Sequence, residues 1–290
     1  MIQDIAPHTY DLTYRTTAPG ETDLALCCRA GQVLLQQEDG LWRLPAFEAL
    51  PDTLQVNRSR ARHLFRIDDG DIYLAEPAPL PPPPADGELE EASLPAGFSW
   101  RGGQQLRQLR PMETAFAAVT GLQLARWYKN RRFCGRCGAE TEPSAIERAL
   151  VCPRCGLTEY PRLCPAVIVA VTDGDRLLLT RYQGRSYVKY VLIAGYVEIG
   201  ETLEDTVRRE VFEETGLHVK NIRYYKSQPW GFTDTMLSGF YCTLDGSDRV
   251  TLQESELSEA VWMHREEIPP RENDVSLTSE MIEHFRLGLV

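Results

Sequence analysis

Apolar and polar positions repeat with different spacings along this chain, and the changes of spacing divide it. In the first 76 residues the short apolar runs LALCCRA, QVLLQQ, HLFRI and DIYLAE are separated by Gly and Asp turn signals, which predicts a β-rich unit. The segment 77–97, PAPLPPPPADGELEEASLPAG, is proline-rich and then acidic, and reads as an extended linker or long loop. From residue 111, PMETAFAAVTGLQLARWYKN has Pro early and apolar residues at helical spacing, predicting one helix. Beyond it, AVIVAVTDGDRLLLTRY (166–182) predicts strand–turn–strand around Asp173, Gly174 and Asp175. NIRYYK, MLSGFYCTL and EAVWMHREEIP continue the apolar runs, and a C-terminal helix is expected near LTSEMIEHFRL. Strands interleaved with two helices predict an α/β layered domain. The expected organisation is a β-rich domain over 1–110 that includes the linker, a helix and cysteine-rich segment over 111–160, and an α/β domain over 161–290. No internal repeat is visible.

Composition changes this picture little. Of 290 residues, 43% are hydrophobic and 25% charged, ordinary values for a globular chain. No apolar run approaches the roughly 18 residues of a membrane span, and MIQDIAPHTYDL has neither a basic start nor an apolar signal core, so a cytoplasmic location is expected. The net charge of −11 speaks against a broad nucleic-acid-binding surface but leaves room for a local basic patch, for which KNRRFCGR (129–136) is the candidate.

The eight cysteines say more. Cys27, Cys28, Cys164 and Cys242 stand in or beside apolar runs and are expected to pack as small hydrophobes. Cys134, Cys137, Cys152 and Cys155 form C-x2-C-x14-C-x2-C, a spacing that turns two thiolate pairs toward one tetrahedral zinc. Four thiolates leave no open position, so one structural zinc per chain is expected.

The strongest pattern is G-x5-E-x7-R-E-V-x-E-E-x-G-L, from Gly195 to Leu217. Thr202 suits a helix N-cap and Gly216 the position past the C-terminus. On that helix Glu210, Glu213 and Glu214 fall on one face, where like charges are unfavourable unless a cation sits among them. Hard divalent ions accept such carboxylate oxygens. Leu203, Val207 and Val211 form a neighbouring stripe that can dock the helix, and Arg209 is placed to pair with Glu201.

This stretch is identified as a Nudix box, and its position behind a four-cysteine ribbon and ahead of SQPW (227–230) resembles the NADH pyrophosphatase branch of the Nudix hydrolases. The resemblance covers about 110–290 and implies an α/β/α sandwich, Mg2+ or Mn2+ as catalytic metal and hydrolysis of the diphosphate of NADH or NAD+ to nicotinamide mononucleotide and AMP. That branch also removes NAD caps from RNA. By resemblance, Glu210, Glu213 and Glu214 are catalytic. Ala194 (through its carbonyl), Glu210, Glu214 and Glu256 hold the metal, with Glu259 a near alternative to Glu256. Tyr160 and Tyr196 match aromatic positions at the nicotinamide end, Glu147 matches a substrate contact, and Gln228, Pro229, Trp230, Gly231, Phe232, Thr233, Asp234 and Thr235 match the specificity loop. The resemblance also implies a homodimer. Gly231 and Thr233 replace two prolines usual in that loop and Thr235 replaces a serine, so a loop less constrained than its relatives' is expected. Diphosphatases of ADP-ribose or other ADP-linked compounds, and a catalytically silent Nudix-like nucleotide sensor, are the competing readings.

Overall fold

The runs of the first 76 residues do form strands. The computed structural model describes residues 1–78, 94–184, 189–253, 255, 257–271 and 275–290, so most of the 77–97 linker and Glu256 lie outside the described residues. One sheet orders the strands 10–11, 62–67, 70–74 and 24–26, and a second joins 28–29, 32–38 and 41–43. Phe98–Gly102, which no sequence pattern singled out, also pairs with 32–38, setting Trp100 opposite Leu34. Leu34, Phe47 and Tyr73 centre the core, with Phe98 and Trp100 packed against it.

Helix α1, Met112–Asn130, starts after Pro111 as expected. The ribbon follows, with short strands Glu142–Pro143, Leu150–Val151 and Thr158–Glu159. It rests on the β-rich region: the Tyr14 hydroxyl donates to the Ser144 carbonyl at 2.7 Å, and the Arg148 guanidinium donates to the Leu64 carbonyl. Ile2–Arg162 accordingly forms one compact unit, and Leu163–Val290 together with Met1 forms the other.

In the second unit, the run AVIVAV is apolar at every position because both faces of its strand are covered. Strand β1, Cys164–Asp173, turns Val167, Val169 and Val171 to one core and Ile168 and Ala170 to the other. A tight turn leads to β2, Arg176–Tyr182, and β3, Ile193–Tyr196, pairs antiparallel with the first half of β1. Helix α2, Leu203–Thr215, covers the valine side of the sheet with Val207 and Val211, both fully buried. Each buried side chain of this size contributes about 1.5–3 kcal/mol. Strand β4, Val219–Trp230, and strand β5, Thr235–Leu244, form a hairpin, and β5 runs parallel to β1. Strand β6, Leu257–His264, pairs with β2, and α3, Leu277–Arg286, covers the other face with Leu277, Met281, Ile282 and Phe285. The strand order is β4-β5-β1-β2-β6, with β3 also on β1: an α/β/α sandwich.

Two expectations need correction. Gln228–Trp230 is strand rather than loop: β4 lies at the sheet edge, where Pro229 forfeits no ladder bond that a central strand would need. In the hairpin that follows, Asp234 has a left-handed φ of +58°. Cys27 and Cys242 are buried, but Cys28 and Cys164 are only half-buried.

Candidate active site and zinc centre

Helix α2 begins where its sequence says it should. Thr202 Oγ1 accepts from the Asp205 N–H at 3.1 Å, and Gly216 ends the helix with φ of +70°, a conformation that costs glycine nothing. These two ends fix the rotation of the helix, and therefore which face carries the glutamates.

Arg209 organises that face. Its guanidinium donates to both oxygens of Glu201 (2.6 and 2.8 Å), to Glu210 Oε1 (2.8 Å), to Glu213 Oε2 (3.1 Å) and to the Tyr196 carbonyl (2.9 Å). It thus ties the helix to the loop and to the end of β3. The hydrogen bond from Arg209, the largest cause, holds the Glu201 carboxyl down at about 2, and the same contact raises the Arg209 pKa. Thr206 Oγ1 adds a bond to Glu201 Oε2 at 2.9 Å.

The glutamates differ in surroundings. Glu213 is exposed, Glu210 is half-buried, and Glu214 is buried at 2% exposure. The Glu210 carboxylate lies against Gly195, where a Cβ would fall 1.8 Å from its Cδ. Ala194 is the residue before that cradle, on β3 opposite Ile168. Arg209 engages Glu201, Glu210 and Glu213, and Glu214 stands one residue on, so the helix face brings together hard oxygen donors. Such a set fits a divalent cation. Glu256 lies outside the described residues, and Glu259 is engaged elsewhere: it accepts from Tyr190 Oη at 3.0 Å and pairs with Arg181 at 2.9 Å.

The two ends of the proposed substrate surface meet across β1. Ala166 faces Tyr196 on one side, and Cys164 faces Thr235 on the other. The Tyr196 and Thr235 hydroxyls are 3.5 Å apart. Trp230 and Phe232 bracket the hairpin with ring centroids 4.8 Å apart, tilted by 53°. Thr233 and Thr235 share a hydroxyl contact of 2.7 Å, and the Asp234 carbonyl accepts from the Cys164 N–H at 2.8 Å. Pro229 is exposed and Gly231 buried.

Gln228 turns the other way. Fully buried, its amide donates to the Val275 carbonyl at 2.9 Å and accepts from the Leu277 N–H at 2.7 Å. It holds the start of α3 rather than offering its amide to a ligand. No local pattern distinguishes this Gln from a surface one. In the other unit, Tyr160 Oη donates to Glu147 Oε1 at 3.1 Å, so these two expected substrate contacts pair with each other.

The cysteine ligand atoms all lie within 4.8 Å of one another, with Cys134–Cys155 at 3.6 Å and Cys137–Cys152 at 3.5 Å. A tetrahedral site with metal–sulfur bonds of about 2.3 Å sets its sulfurs about 3.8 Å apart. The four thiols therefore fit one zinc.

A family model of the NUDIX domain matches residues 162–285, and one of the NADH pyrophosphatase zinc ribbon domain matches 129–160. The chain is similar to an NAD-capped RNA hydrolase NudC from Actinobacillus succinogenes, 43% identical over 182 residues, covering 59% of this chain and 68% of that one. It is also similar to one from Haemophilus influenzae, 42% identical over 158 residues, covering 52% and 59%. The match thus spans less than two thirds of the Haemophilus protein. Among solved structures, a NUDIX hydrolase from Nitrosomonas europaea is similar with a TM-score of 0.46 and 22% identity, over 54% of this chain and 90% of that one. The chain belongs to the Nudix family, in the branch that carries an NADH pyrophosphatase zinc ribbon.

Proposed function

We propose that the protein hydrolyses the diphosphate bond of NADH and NAD+, giving the nicotinamide mononucleotide and AMP, and removes the same group as a cap from RNA. The observation that carries this reading is the Arg209-braced cluster of Glu201, Glu210 and Glu213, in a chain that also carries the ribbon. The relatives' printed name, NAD-capped RNA hydrolase, supports the substrate class.

Glu210 and Glu214, with the Ala194 carbonyl and Glu256, would hold Mg2+ or Mn2+, with Glu213 beside them. The bound ion supplies neutralisation of diphosphate charge and a more acidic water. Arg209 keeps the Glu210 and Glu213 carboxylates oriented at 2.8 and 3.1 Å, so little reorganisation is left for the reaction. A carboxylate of this set accepts the proton of the attacking water. Tyr196, Trp230 and Phe232 supply ring surface for the substrate, with Pro229, Gly231, Thr233, Asp234 and Thr235 shaping the hairpin beneath it. Tyr160 and Glu147 add a second recognition element. A homodimer belongs to the same proposal, testable by sedimentation.

The test is a turnover panel of NADH, NAD+, ADP-ribose and NAD-capped RNA, each with Mg2+ or Mn2+, with Glu214→Gln as control. NADH or NAD-capped RNA leading the panel bears the reading out. ADP-ribose leading would replace it with an ADP-ribose diphosphatase, and no turnover with binding retained would leave a nucleotide sensor.

A further inference from the structure

Residues 126–162 carry eight Lys and Arg against four Glu, in a chain whose net charge is −11. The two knuckles repeat Cys-x-Arg-Cys-Gly, with Arg136 and Arg154 at the same place in each. The Arg136 N–H donates to Cys134 Sγ at 3.4 Å, and the Arg154 N–H bonds the Cys152 sulfur likewise. Both side chains are exposed, as are those of Lys129 and Arg132. Arg131 and Arg132 have carboxylate partners, Glu159 at 3.7 Å and Glu140 at 3.0 Å. Among the described residues, no ion pair engages Lys129, Arg136 or Arg154. Phe133, next to the first knuckle, is 58% exposed, with the Arg132 guanidinium 5.4 Å from its ring centroid.

A tetrathiolate zinc carries two net negative charges, and two arginines at the knuckle tips offset them. That accounts for Arg136 and Arg154 but not for Lys129 or for an exposed ring among cations. Phosphates that meet the cations while a base stacks on the ring account for all of them. From these exposed cations and the exposed ring, we propose that Lys129, Arg132, Phe133, Arg136 and Arg154 form a docking surface for single-stranded RNA, the body of a capped transcript. This rests on the proposed action on NAD-capped RNA. The surface holds the strand and takes no part in the chemistry, so it raises kcat/KM for capped RNA and leaves that for free NAD+ alone.

The experiment compares wild type with Arg136→Gln/Arg154→Gln, with the charge-preserving Arg136→Lys/Arg154→Lys, and with Phe133→Ala, each checked for full zinc content. Binding of a short uncapped RNA is read by fluorescence anisotropy over a salt series, beside turnover of NAD+ and of NAD-capped RNA. The Gln pair is expected to lower the salt slope by about 1.4, at about 0.7 per lost phosphate contact, while the Lys pair keeps it. Phe133→Ala is expected to weaken RNA binding about tenfold. Turnover of capped RNA falls in step with binding, and turnover of NAD+ holds. Unchanged RNA binding in the Gln pair and Phe133→Ala, equal binding of polyglutamate, or NAD+ turnover falling as much as that of capped RNA would each overturn the inference. Should the enzyme turn over neither substrate, the functional reading fails, while anisotropy still decides the surface.

Discussion

A side chain at Gly195 would put its Cβ 1.8 Å from Cδ of Glu210, so the glutamate carboxylate occupies space that only glycine leaves open. Gly195 belongs to β3 and Glu210 to α2, and their contact seats the first glutamate of the cluster against the sheet. Gly195→Ala is expected to displace that carboxylate without unfolding the domain, because the far end of a flexible side chain can swing away. Turnover should fall by about 100-fold or more, the scale of losing one preorganised charge. Thermal melting should stay close to wild type and Mn2+ binding by calorimetry should weaken. Wild-type turnover in this variant would mean that the Glu210 seat is not the working one.

The Glu201–Arg209 pair predicts a pH signature. The folded carboxyl sits near 2 against an ordinary value of 4.5, chiefly through the Arg209 hydrogen bond. A depressed carboxyl stabilises the fold above its unfolded pKa, and that contribution is lost as pH falls from about 4.5 toward 2. Wild type and Glu201→Gln should therefore differ in denaturant midpoint at pH 6 and converge near pH 2. A constant difference across that window would assign the effect to packing.

One zinc per chain is expected by elemental analysis. Because a structural site forms only in the folded ribbon, metal affinity and ribbon stability are linked. Cys152→Ser, or chelation of the wild type, should expose the remaining ribbon thiols to a thiol reagent and lower the melting temperature. Full stability after complete chelation would remove the zinc assignment.

Two positions of β4 should separate two kinds of loss. Trp230→Ala is expected to raise KM for NADH about tenfold with a smaller change in kcat, the scale of one lost ring contact. Gln228→Leu removes the buried bonds to the Val275 carbonyl and the Leu277 N–H, costing about 2–4 kcal/mol of stability by denaturant titration. If Gln228→Leu instead changed KM with stability intact, the amide would be serving the substrate.

How much of this was legible beforehand follows from the range of each interaction. The box, the caps Thr202 and Gly216, and the cysteine spacing are set within a few residues, where helical rise and knuckle geometry leave little choice. The apolar run 166–171 likewise announces a strand covered on both faces. The glutamate face, the metal-binding thiols and the layered domain are therefore legible in local spacing alone. Other features depend on partners far along the chain. Pro229 is tolerated in a strand because β4 lies at the edge, and Gln228 is a buried latch because α3 begins beside it. Phe98–Gly102 becomes a strand because 32–38 offers it a ladder, and Tyr196 meets Thr235 because β1 runs between them. Pairing across such separations depends on which edges remain open after the rest of the chain has packed, and no local spacing records that.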